Sequence, residues 1–176
     1  MASPKKSVAI HEAGHAVAAL KQRIKLEGIT FSKQQSVGVS GLEVNATTNI
    51  DFQKASATES FRESCERKAI FCFGGVAAEA AVEGQGNWTA FLQQTDDLSR
   101  TVCLITGLSQ DGMSNGEIAG WLGKCAAVAR DIAIQNRDAI RRVADLVLDN
   151  FENGESETKA HAIEAILQDI SPSKIQ

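Results

Sequence analysis

Ile10, Ala13, Val17, Leu20 and Ile24 recur at alternating spacings of three and four residues, the period of a helix with one apolar face. Ser3 and Pro4 supply an N-cap and a first-turn proline, so the pattern predicts a helix from about Pro4 to Arg23. The period then changes. Ile29 and Phe31, Val37 and Val39, and Leu42 and Val44 alternate with polar or small residues, which predicts a small sheet of two or three strands between Gly28 and Val44. Gly38 and Gly41 suit either an edge strand with room for another backbone or a plain bulge or turn.

Beyond Val44 the pattern is helical throughout. Ser56-Ala57-Thr58-Glu59 fits a capping box, and Phe61, Cys65, Ala69, Cys72 and Val76 form a stripe that continues through Gly74-Gly75 to Glu83. A polar, glycine-containing loop is expected from Gly84 to about Gln94. Thr95 then caps a helix carrying Leu98, Val102 and Ile105 on one face and ending at Gly107. Ser114 to Glu117 is a further capping box, opening one long amphipathic stretch to Phe151 that Asn153-Gly154 breaks. A last helix places Ala160, Ile163, Leu167 and Ile170 inward and stops at Pro172. The expected fold is mainly α with a small β-sheet, an α+β arrangement. With 176 residues, no repeat and no linker, residues 1–176 read as a single domain.

Charge narrows the function classes. The 18 basic and 22 acidic residues are interspersed and give a net charge of -4, which argues against nucleic acid and against a polybasic membrane anchor. No apolar run reaches the roughly 20 residues of a spanning helix, and the expectation is a cytoplasmic protein. The four cysteines form no C-x-x-C pair and read as buried free thiols.

The chemistry lies in His11-Glu12-Ala13-Gly14-His15. Two histidines four apart project from one helix face and can share one Zn²⁺. Glu12 lies about 100° round the helix from His11 and about 60° from His15, close enough to serve as a base without being a ligand. The apolar stripe runs along another face, so the histidines are expected to look into a cleft. Two of the three histidines in the chain sit at this spacing. A catalytic zinc usually takes three protein ligands, and Glu79, Glu83, Asp96, Asp97 and His161 are the candidates for the third. Spacing alone does not choose among them.

His11-Glu12-Ala13-Gly14-His15-Ala16-Val17 resembles the peptidase domain of the membrane-bound AAA+ zinc proteases, the FtsH family. The similarity continues at Phe73-Gly74-Gly75-Val76-Ala77-Ala78-Glu79, at Asp96-Asp97-Leu98-Ser99-Arg100-Thr101, and more weakly at Gln135 to Ile140 and Ala162 to Leu167. The resemblance implies a zincin-like helix, zinc held by His11, His15 and Asp97, Glu12 as catalytic base, and Glu79 and Asp96 as supporting residues around the ligands. It implies a peptide or unfolded protein as substrate and a separate AAA+ ATPase or protease as a partner; homo-oligomerisation is left open. The departures are specific. Val76 stands where the family has arginine and Asp96 where it has asparagine, and Gly120 to Lys124 lacks P-loop spacing. No transmembrane anchor is expected either. Peptide hydrolysis independent of ATP is therefore the expectation, with a non-proteolytic zinc-containing client-binding module as the alternative. Hydrolysis of a non-peptide substrate at the same metal is a third reading.

Overall fold

In the computed structural model, which describes residues 4–35, 42–52, 58–84 and 95–170, helix α1 (Pro4–Lys21) is the element the others surround. Its apolar stripe predicts one core-facing side, yet every residue from Ala9 to Ala19 is buried. The reason is side-chain size: Ala9, Ala13, Gly14, Ala16, Ala18 and Ala19 let neighbours close in from all directions. The histidines of this helix consequently lie in the interior rather than at an open cleft.

Strands β1 (Lys25–Gln35) and β2 (Leu42–Asp51) pair antiparallel, from Lys25 opposite Asp51 to Gln35 opposite Leu42, with an irregularity between Leu26 and Gly28. The sheet therefore extends past Val44. Its third strand, β3 (Glu157–Lys159), comes from a region where only helix is predicted, and pairs antiparallel with β1 to give the order β2-β1-β3. Val37, Gly38, Val39 and Gly41 lie outside the described residues.

Helix α2 (Phe61–Glu83) starts at Ser60, whose side chain caps the Glu63 N–H while Glu63 reaches back to Ser60 N. The capping box thus sits four residues after the predicted one; Ser56 is outside the described residues, and Glu59 is buried and bound to Arg67. The predicted loop up to Gln94 is outside them too. Helix α3 (Thr95–Gln110) passes through Gly107, which is covered by the Phe61 ring, instead of stopping there. Helix α4 (Asn115–Gln135) begins at the expected Ser114–Glu117 box. The long stretch then divides: Asn136 leaves helical geometry (φ -113°, ψ 23°), and α5 (Arg137–Glu152) follows as a separate helix. Helix α6 (Ala160–Ile170) follows β3 directly.

The main apolar core joins Ile10, Val17, Ile29, Val76, Ile140, Val143 and Ile163, drawn from α1, β1, α2, α5 and α6. The fold is mainly helical with a small antiparallel sheet. No described helix is long and apolar enough to cross a membrane.

Candidate metal centre

Helices α1 and α2 cross at glycines. A Cβ on Gly74 would lie 2.8 Å from Ala18 Cβ and 2.9 Å from Gly14 O, and one on Gly14 would collide with Ala78 and the Gly74 carbonyl. Two glycines in a helix interior cost roughly 1 kcal/mol each against alanine, which this close approach offsets through packing. Gly75 has a more local role: a Cβ there would occupy the space of the His11 ring. The glycine pair thus sets the helix separation and leaves room for an imidazole between the helices.

The two histidines are oriented from behind. His11 Nδ1 lies 2.8 Å from Glu79 Oε1 on α2, and His15 Nδ1 lies 2.8 Å from the carbonyl oxygen of Phe71, also on α2. Carboxylate and carbonyl oxygens only accept, so both Nδ1 atoms carry the proton. Both Nε2 atoms then point the other way, 2.9 Å apart. Asp97 Oδ2, from the first turn of α3, joins them at 3.3 Å from His11 Nε2 and 3.0 Å from His15 Nε2. Neutral imidazoles would leave three acceptor atoms in mutual contact with no donor between them. Burial disfavours a charged His11 most strongly, but Asp97, Glu79 and Glu12 together outweigh it and push its pKa up to about 10. Burial likewise opposes the charge of Asp97, and the two histidines reverse it, holding this carboxyl well below the usual range. The three atoms therefore share a positive charge, which a proton on His11 supplies and which a metal ion could replace.

Two imidazole nitrogens and one carboxylate oxygen, lying within 4.8 Å of one another, form a donor set that zinc accepts. The second contacts of the histidines, to a carboxylate and a backbone carbonyl, are those that fix ligating imidazoles in place. The residues present therefore fit a three-ligand zinc.

Of the candidates raised by the sequence, Asp97 meets His11 and His15 directly, while Glu79 stands behind His11. Glu83 is bound to the Ser7 hydroxyl at 2.9 and 3.0 Å, and His161 is exposed on α6; neither joins the cluster. Asp96 belongs to α3, but its side chain lies outside the described residues.

Glu12 faces the sheet. It is buried, and Thr48 Oγ1 of β2 lies 2.7 Å from its Oε2 and 2.9 Å from its backbone oxygen. Sequence reasoning did not single out Thr48, since a threonine in a strand is ordinary; its burial in an edge strand is the signal that distinguishes it.

Beside the centre lies a cavity of about 480 Å³ between β2, α2 and α3, lined by residues that include Ile50, Phe52, Phe71, Leu104, Lys68 and Arg100. Phe71 belongs to both places, because its ring packs on His15 with centroids 4.9 Å apart. Cys72 is buried on the same wall, and burial, with Asp97 adding to it, pushes its thiol up to about 12, so it is inert there. Cys65 and Cys125 are also buried free thiols, whereas Cys103 is exposed, contrary to the sequence expectation.

No family model matches this chain, and no curated protein is significantly similar to it.

Proposed function

We propose that the chain is a zinc-dependent hydrolase that cleaves peptide bonds in peptides or unfolded proteins without ATP. The observation that carries this reading is the convergence of His11 Nε2, His15 Nε2 and Asp97 Oδ2 with both Nδ1 protons committed elsewhere. The resemblance of the His11–His15 and Asp96–Thr101 segments to the FtsH-type peptidase domain supports it.

His11, His15 and Asp97 would hold the ion. Bound there, zinc supplies a Lewis acid that polarises a carbonyl and lowers the pKa of water toward roughly 7. Glu12, its Oε2 held by the Thr48 hydroxyl at 2.7 Å, would take the proton of the attacking water. Glu79 and the Phe71 carbonyl keep the Nδ1 protons in place, so the imidazoles present lone pairs rather than N–H groups.

The depth of the cluster favours one alternative: a non-proteolytic, metal-containing module that binds clients, alone or beside a separate AAA+ protease. His11, His15 and Asp97 are each at most 5% exposed. One experiment separates the two. Purified chain is analysed for metal and incubated with unfolded casein, with and without chelator, beside Glu12→Gln. About one zinc per chain with chelator-sensitive cleavage, lost in Glu12→Gln by on the order of a thousandfold, is expected of the hydrolase. Bound zinc without turnover moves the reading to the module, and a chain that neither carries nor takes up zinc removes the metal centre altogether.

A further inference from the structure

The cavity beside the metal centre combines two features that an ordinary gap between helices lacks. Its walls are largely apolar, from Ile50, Phe52, Phe71 and Leu104, and two cations stand on them. Lys68 Nζ sits 4.3 Å from the Phe52 ring centroid, and the Arg100 guanidinium lies 5.8 Å from that of Phe71. Both rings line the cavity, so both charges are held at its wall. No acidic residue is among the described residues lining it, and neither cation makes an ion pair with a described residue. Arg67, which also stacks on Phe52, is by contrast bound to Glu59 at 2.7 Å.

Charge of one sign on apolar walls calls for a ligand that brings an apolar body and an anion together. A purely apolar side chain leaves the cations unanswered, and an acidic side chain leaves the aromatic walls unfilled. We infer that the cavity takes the apolar C-terminal residue of a peptide, its ring or branched chain against Phe52, Phe71 and Leu104 and its free carboxylate on Arg100 and Lys68. Position makes this meaningful for the centre. Arg100 is one helical turn after Asp97 on α3, Ile50 is two residues after Thr48 on β2, and Phe71 touches both cavity and His15. A terminal residue seated here leaves the preceding peptide bond within about one residue's length, roughly 3.5 Å, of the cavity mouth. As a substrate assignment this rests on the hydrolase reading; as a binding site it does not.

The test measures binding by calorimetry to the full chain stripped of metal, so that neither ligation to zinc nor turnover contributes. The probes are N-acetyl-Leu-Phe as the free acid, the same dipeptide as its amide, and 3-phenylpropanoate. The acid should bind at least about tenfold more tightly than either of the others. Arg100→Gln and Lys68→Gln alter side chains at the surface or half-buried, and thermal unfolding checks that they fold. Each should erase most of the preference for the acid while leaving the affinity for the amide as it was. Equal binding of acid and amide, a preference that survives both substitutions, 3-phenylpropanoate binding as well as the dipeptide, or no binding of any probe would each overturn the inference. With metal restored, a chain that binds the acid but cleaves no peptide would sink the hydrolase reading and keep the binding site.

Discussion

Arg67 and His11 both place polar groups at the α1–α2 layer, and their surroundings are built on opposite terms. Arg67 donates to Glu59 at 2.7 Å, to the Gln22 carbonyl at 2.8 Å and to the Arg23 carbonyl at 3.1 Å. One cation meets one anion, and its donors face acceptors. That cluster is complete, and it ties α2 to the turn after α1, where Arg23 adopts a left-handed conformation (φ 55°). Around His11 the balance is different: two ring nitrogens and a carboxylate oxygen face one another with a single exchangeable proton to share among them. Buried groups that cancel hold a fold together, while buried groups left with a surplus of one kind mark where a ligand is expected.

The sharpest way to break this comparison is to remove Asp97. Asp97→Ala should cost on the order of a thousandfold in zinc affinity, read by competition with a coloured chelator, because it deletes one of three ligands. Glu79→Gln, which touches only the far side of His11, should cost about tenfold to a hundredfold. The reverse order would show that the wrong carboxylate is assigned to the metal. At the other cluster, Arg67→Ala should lower unfolding stability by about 3 kcal/mol in denaturant titration, since buried Glu59 loses its partner. Zinc affinity should not change. A loss of metal in Arg67→Ala would mean that the two clusters are coupled rather than distinct.

Acidity sharpens the contrast further. Without metal, His11 stays protonated up to about 10, so an ion arriving at neutral pH must expel that proton. Zinc affinity should therefore rise with pH, by about tenfold per unit between pH 6 and 8, with about one proton released per ion. A flat profile would mean that His11 is already neutral in the metal-free chain. The smallest effect is expected at Thr48. Thr48→Val removes the hydroxyl from Glu12 and should lower kcat about tenfold without changing zinc content or KM, and Thr48→Ser should restore it. Unchanged turnover in Thr48→Val would make that contact structural only.

The sequence displayed most clearly what is local. The spacing of His11 and His15 is decided within one helical turn, and the Ser114–Glu117 cap within four residues, so both are visible before any folding. Asp97 was one of five candidates by spacing, because nothing local says which distant carboxylate folds back onto His11. The two-helix division at Asn136 is hidden since the apolar period continues across it from Ile132 to Ile140. Strand β3 is hidden because Glu157-Thr158-Lys159 is too short to show alternation, and its pairing partner is far away. The cavity is less legible still, as each of its three walls is an ordinary apolar stripe by itself.

Strand β3 also has a bearing on how the molecule is made. Gly28 and Thr30 find their partners in Lys159 and Glu157, so the central strand closes only against residues from the opposite end of the described chain. Contacts of such separation carry a large loop-closure cost before they return any stabilisation, and proteins rich in them fold slowly. Chains released from the ribosome before Glu157 would carry both histidines, Glu12 and Asp97, yet leave one edge of β1 unpaired and open to other strands. The order of synthesis thus places the completion of the sheet after every proposed ligand has already been made.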